Sequence, residues 1–179
     1  MTDKTGKQKD KATAHGAPRD ESMKVRAHPP TLFYSSCLAT VVLGSWNGSR
    51  FPIVPQQRHH YGITAMGLGG FMACVGFAMT AIKTFQRRKT PVPHGYQVQT
   101  IVREGVFGVT RNPMYLSMVA GVASLGVALN SWWGGVFALG LAGTLHYLVI
   151  PHEEAYLTQT FGKRYQDYKT QVPRWILFI

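Results

Sequence analysis

The run from Asn112 to Leu145 contains no Asp, Glu, Lys or Arg, and neither does the run from Tyr61 to Ile82. A helix in a water-soluble domain shows charged residues to solvent every turn or two, so charge-free stretches this long have no water-facing side. At about 1.5 Å rise per residue, Tyr61 to Ile82 reaches about 33 Å, enough to cross a hydrocarbon core of about 30 Å. In lipid every backbone N–H and C=O must be satisfied within the segment, which makes the spans helices. The expected architecture is all-α: a multi-pass transmembrane helical bundle of about four spans, at Thr31 to Trp46, Tyr61 to Ile82, Pro113 to Leu129 and Trp132 to Ile150. Thr31 to Trp46 is the shortest, cut off by Asn47, Gly48, Ser49 and Arg50. Asn130 and Ser131 join the last two spans into a tight hairpin, with Trp132 and Trp133 at the interface level that aromatic residues prefer.

Composition matters here through its distribution. The formal net charge is +11, yet of the 19 Lys and Arg residues only Arg50 and Arg58 fall on one side of the expected spans. The rest lie in the N-terminal tail, the loop from Lys83 to Arg111 and the C-terminal tail, so the positive-inside bias puts both termini in the cytosol, at an endoplasmic reticulum or bacterial inner membrane. The basic residues are not gathered on one folded motif, which argues against a nucleic-acid partner. Cys37 and Cys74 lie within spans, where a thiol behaves as a small apolar side chain. Residues 1–30 form a polar, basic tail expected to be disordered, residues 31–84 hold two spans, and residues 85–179 the remainder. The second span carries Gly62, Gly67, Gly69, Gly70 and Gly76, small residues that let helices approach closely in lipid. Beyond Pro151, Leu157, Phe161, Tyr165 and Tyr168 recur at helical spacing with charges between them, the pattern of an amphipathic helix lying along the cytosolic membrane surface.

Two short segments carry chemistry. Asn112-Pro113 pairs a favoured N-cap with a favoured first helical residue, so Arg111-Asn112-Pro113-Met114-Tyr115 starts a helix whose free amides attract an anion, with Arg111 beside them. Glu153-Glu154 stands at the end of the fourth span, where an acidic pair calls for a cation. The hairpin brings both segments to the same membrane face, so an anion site and a cation site oppose each other, as an amino-acid zwitterion requires. His146 and His152 are close enough in sequence to serve as bases for an amine nucleophile.

From about Phe85 to Trp175 the chain resembles the membrane methyltransferase superfamily of isoprenylcysteine carboxyl methyltransferases and phospholipid methyltransferases. The residues that carry the resemblance are Gly105-Val106-Phe107, Arg111 to Leu116, Glu153-Glu154, Phe161-Gly162-Lys163-Arg164-Tyr165 with Tyr168, and Val172-Pro173-Arg174-Trp175. The resemblance implies S-adenosylmethionine as cofactor. Its binding residues would be Thr100, Ile101, Val102, Phe107, Asn112, Pro113, Met114, Tyr115 and Glu153. Glu153 would meet the methionyl ammonium, Asn112 and Pro113 its carboxylate, and Phe107 and Tyr115 its adenosine. The candidate catalytic residues are Arg111, Glu153 and Glu154, and no metal is implied. The phospholipid enzymes also use a Gly-x-Gly segment of an earlier span, for which Gly67-Leu68-Gly69 is the candidate. The isoprenylcysteine enzymes carry His where Asn112 stands and, four residues before the Glu pair, an Arg for the substrate carboxylate where this chain has Val149. Arg174 and Arg103 are the candidate substitutes.

The expected function is thus methyl transfer from S-adenosylmethionine to a lipidic or small apolar acceptor reached from the bilayer, most like the isoprenylcysteine carboxyl methyltransferases. The alternatives are a phospholipid N-methyltransferase, a relative of the membrane sterol reductases, and a non-enzymatic relative that keeps the scaffold.

Overall fold

The computed structural model describes residues 28–47, 52–55, 61–87 and 101–176; residues 1–27 of the expected N-terminal tail, Arg50, Arg58 and Thr100 lie outside these, and Pro29 and Pro30 belong to the first helix. Among the described residues every regular element is helical: α1 Pro29–Asn47, α2 Tyr61–Arg87, a 3₁₀ turn Gly105–Gly108, α3 Pro113–Ala128, α4 Trp133–Thr144, a π-helical turn Leu145–Val149, α5 Ile150–Phe161 and α6 Lys163–Gln171. Helices α4 and α5 join through the π turn into one continuous helix of 29 residues. That helix and the 27-residue α2 are long and apolar enough to cross a membrane, whereas apolar α3 has 16 residues.

Helix α2 packs along α3, which packs against α4, and α1 lies across α3 and α4. Glycines set the two closest approaches. A Cβ on Gly67 would stand 2.2 Å from the Ala128 nitrogen, and one on Gly126 would stand 2.5 Å from the Gly134 Cα. Of the other glycines in α2, Gly70 faces Ser124, while Gly62, Gly69 and Gly76 have no neighbour that a Cβ would meet. Close packing thus explains only part of the glycine content of α2.

The α3–α4 hairpin closes by a Schellman motif: the Ser131 N–H donates to the Gly126 carbonyl over 2.9 Å and the Asn130 N–H to that of Val127 over 3.0 Å. Asn130 takes the left-handed conformation this requires, with φ +49°. Its amide then reaches across to the backbone of Val54, accepting from the N–H and donating to the C=O, both at 2.9 Å.

Pro151 does not end the fourth helix as its sequence position implied. A proline has no N–H for the carbonyl four residues back and its ring crowds that turn. The π turn just before it shifts the bonding, so that the Ile150 N–H donates to the Leu145 carbonyl five residues earlier and the helix runs on through the proline. Glu153 and Glu154 therefore sit within a continuous helix, not at a helix N-terminus. The expected C-terminal amphipathic helix is likewise broken at Gly162, whose φ of +54° separates α5 from α6. Its apolar residues are not turned outward: Tyr165, Tyr168 and Val172 are buried together, with Ile101, Leu157 and Phe161 packed on them.

The outside of the bundle is apolar. Met66, Met72, Leu139 and Tyr147 are each more than three-fifths exposed, and the most apolar stretch of α2 is only 11% buried. Hydroxyls on these helices bond to their own backbone, as Ser36 and Thr40 do to the carbonyls of Leu32 and Ser36, both at 2.8 Å.

Candidate functional site

The site forms where the start of α3, the α5 segment and the C-terminal segment Val172 to Trp175 meet. Pro113 is the first residue of α3 and is fully buried. Asn112 occupies the N-cap position, but its side chain does not cap the helix. It donates instead to the Arg174 carbonyl over 3.0 Å, which Thr110 also reaches with its hydroxyl over 3.1 Å. The Arg111 N–H donates to the Pro173 carbonyl over 3.0 Å. The C-terminal segment is thus laced to the chain just before α3, and the first amides of α3 have no side-chain cap.

The two glutamates have opposite environments. The buried Glu154 carboxylate meets Arg111 at 2.8 Å, Arg174 at 2.8 and 3.3 Å in a two-pronged pair, and Lys169 at 3.4 Å. A buried carboxylate needs such compensation, and here it comes from three separate elements. Glu153, one residue earlier, has among the described residues a single hydrogen-bond partner: the Tyr115 hydroxyl, which donates to it over 2.6 Å. The helix turn between neighbouring residues sends one carboxylate to the cations and the other to α3.

Aromatic residues pack next to Met114 at the start of α3. Phe107 is packed edge-on against Phe85, with ring centres 4.7 Å apart, in a cluster with Ala81, Val102 and Met114. The Tyr168 hydroxyl donates to the Phe107 carbonyl over 2.7 Å, and the Arg103 guanidinium lies 5.6 Å over the Tyr168 ring while donating to the Arg164 carbonyl. Burial pushes the Tyr165 hydroxyl up to about 12, the Glu154 charge adding to the effect, and burial raises Tyr168 above its ordinary value as well.

The structure therefore brings together Arg111, Asn112, Pro113, Tyr115, Glu153 and Glu154, but it divides them into two tasks. Arg111 and Glu154 pair with each other, while Tyr115 and Glu153 form a separate couple. Val102, Phe107 and Met114 share one cluster, Ile101 belongs to another with Tyr165 and Tyr168, and Thr100 falls outside the described residues. Gly67-Leu68-Gly69 is not at the site. Gly67 abuts Ala128 at the far end of α3, about 22 Å along the helix from Pro113. His152 turns back on its own helix, its Nδ1 lying 2.8 Å from the Leu148 carbonyl. The contributions of Lys169, Thr110 and the backbone of Arg174 escaped sequence reasoning, because no local pattern links Lys169 to Glu154 or Thr110 to a carbonyl 64 positions away; the only signal was the Val172-Pro173-Arg174-Trp175 motif, in which Arg174 was a candidate for the substrate carboxylate and not for Glu154.

With this geometry in view, the likeness to known proteins is informative. The phospholipid methyltransferase profile matches residues 59–164, more than half of the chain. The chain belongs to that family. It is also 27% identical over 130 residues to Protein-S-isoprenylcysteine O-methyltransferase B of Arabidopsis thaliana, in an alignment that takes in 70% of this chain and 64% of that protein, so it spans less than two thirds of the relative's length. In this phospholipid methyltransferase family member the matched stretch contains α2 through α5 with both glutamates, whereas Lys169, Arg174 and Trp175 lie beyond its end.

Proposed function

We propose that this chain is an integral membrane methyltransferase that binds S-adenosylmethionine at the start of α3 and transfers its methyl group to a lipidic or small apolar acceptor. The observation that carries the reading is the contrast between the two glutamates. Glu154 is neutralised by three cations, and Glu153, held by Tyr115, has no cation among the described residues. A carboxylate so placed, near helix amides without a side-chain cap, fits the ammonium and the carboxylate of a methionyl group.

Glu153 would hold the ammonium, the free backbone N–H groups of Met114 and Tyr115 in the first turn of α3 the carboxylate, and Val102, Phe107 and Met114 the apolar wall toward the adenosine. Arg111 and Glu154 would fix the C-terminal segment against this cradle. The cofactor supplies a methyl group on a sulfonium, already activated for displacement, so the chain's task is to align acceptor and methyl and to exclude water. The apolar outer surface and the two long helices support placement in a bilayer, with α1 and α3 completing four crossings and the basic segments in the cytosol. The family and the isoprenylcysteine enzyme among its relatives support a lipidic acceptor, with carboxyl O-methylation the first reaction to assay and phospholipid N-methylation the second.

The test is calorimetric binding of S-adenosylmethionine to the purified protein, with methyl transfer to a prenylcysteine analogue and to phosphatidylethanolamine followed in parallel. Replacing Glu153 by Gln removes a charged hydrogen bond worth about 1.5–3 kcal/mol, so affinity should fall by about 10- to 150-fold. Wild-type protein that binds no S-adenosylmethionine, or a Glu153→Gln variant that binds it unchanged, would refute the assignment.

A further inference from the structure

Asn112 stands where an N-cap belongs and does not cap. Its carbonyl accepts the first bond of α3, from the Leu116 N–H over 2.9 Å, and Pro113 fills the first helical position. An N-cap asparagine offers its side-chain oxygen to the N–H of the second or third helical residue, here Met114 or Tyr115, and does so from the extended backbone region. Asn112 has φ −126° and ψ +56°, outside that region, and its side chain is spent on the Arg174 carbonyl.

The C-terminal segment holds it in that conformation. The Arg174 carbonyl accepts from Asn112 Nδ2 and from the Thr110 hydroxyl, and the same hydroxyl oxygen accepts the Asn112 N–H over 3.2 Å. One residue earlier, the Arg111 N–H is bound to the Pro173 carbonyl. The segment is fastened elsewhere without help from Asn112. The Arg174 guanidinium grips Glu154, the Trp175 indole donates to His146 Nδ1 over 3.1 Å and packs on the α3–α4 core, and the Val172 N–H donates to the Tyr168 carbonyl over 3.0 Å. A single side-chain cap competes with all of these contacts, so the docked segment keeps Asn112 away from its own helix.

The amides that Asn112 leaves uncapped are the two assigned to the cofactor carboxylate. An asparagine cap and a carboxylate need the same donors, the N–H groups of Met114 and Tyr115, so one excludes the other. We propose that docking of the segment Val172 to Trp175 keeps the cofactor site open by diverting Asn112, and that in the undocked chain Asn112 turns to cap α3 and closes the site. Asn112 is then a positioning residue whose side chain acts against the ligand when released. This deepens the methyltransferase reading and rests on it for the identity of the ligand.

The test uses the full chain in detergent and reads backbone hydrogen exchange and S-adenosylmethionine affinity on the same samples. Exchange at the Arg111 amide reports whether the segment is docked, and exchange at Met114 and Tyr115 reports the cap. Thr110→Val with Trp175→Ala removes two of the fastenings, and Arg174→Gln is added until the Arg111 amide exchanges freely. In the undocked variant the Met114 or Tyr115 amide should exchange more slowly than in wild type, and affinity should fall at least about 2- to 30-fold, the range of an N-cap. Adding Asn112→Ala, which cannot cap, should speed that exchange again and recover this factor, whereas in the docked wild-type background the same substitution should bring no gain. Free Arg111 exchange with Met114 and Tyr115 no slower, or an affinity that Asn112→Ala fails to raise in the undocked variant, overturns the device. Exchange is read without cofactor, so the two ideas fail separately. Slowed amides with no S-adenosylmethionine binding by wild type sink the methyltransferase reading alone, and binding by wild type with amides that undocking does not slow sinks the device alone.

Discussion

Adjacent glutamates with different tasks should respond differently to the same conservative change. In Glu154→Gln the side chain keeps its shape but loses its charge, and Arg111, Arg174 and Lys169 lose their common counter-ion. The Glu154 side chain is 7% exposed, Arg111 10% and Arg174 22%, whereas Lys169 at 38% is open enough for water to replace its partner. Two largely buried guanidinium groups are thus left uncompensated, and breaking a buried pair in this way costs about 3–5 kcal/mol. For a chain of this size about 1 kcal/mol shifts Tm by 2–4 °C, so the midpoint should drop on the order of 10 °C. The assay is thermal unfolding in detergent followed by intrinsic fluorescence, with S-adenosylmethionine affinity measured well below the transition. Glu153→Gln, which leaves one tyrosine hydroxyl with an amide oxygen to donate to, should stay within about 1 kcal/mol of wild type while losing cofactor affinity. Adding Arg111→Gln to Glu154→Gln should restore part of the loss, because the double variant no longer buries an unpaired charge there. The reasoning is refuted if Glu154→Gln melts with wild type yet loses cofactor affinity, for the carboxylate would then be a ligand contact and not the anchor of the C-terminal segment.

Two further predictions concern packing and protonation. Gly67→Ala should destabilise the α2–α3 contact by about 1–3 kcal/mol, because its Cβ meets the Ala128 backbone, whereas Gly69→Ala, open on all sides, should melt at or slightly above the wild-type temperature. Tyr165 should titrate near pH 12, visible as tyrosinate absorbance lost in Tyr165→Phe. Since its folded value lies above the ordinary 10.0, its contribution to stability is complete below pH 10 and is lost as pH rises toward 12.

Particular residues show how much could be read without coordinates. The charge-free runs foretold α2 and the α3–α4 hairpin to within a few residues, since helix and lipid preferences are written locally, and Asn130 marked the turn because a left-handed residue is needed there. Pro151 misled, because a proline signals a helix end unless a π turn upstream absorbs it, and that bonding choice depends on what the continued helix packs against. The stripe Leu157, Phe161, Tyr165 and Tyr168 was seen correctly as apolar, but its cover is the chain's own Ile101 segment.

The sequence by itself determined that the chain is helical and lipid-compatible, where its helices begin, and that an acidic pair and an Asn-Pro helix start fall at one end of the bundle. Periodicity, charge and capping are properties of neighbours in the chain, so they are legible in order. Only the tertiary structure decided which glutamate is neutralised and which is open, that Asn112 serves the C-terminal segment in place of capping its helix, and that His146 faces two donors. Those outcomes depend on residues about 20 to 60 positions apart meeting in space, where a carboxylate goes to the nearest buried cation and a ring nitrogen's proton is fixed by what faces it.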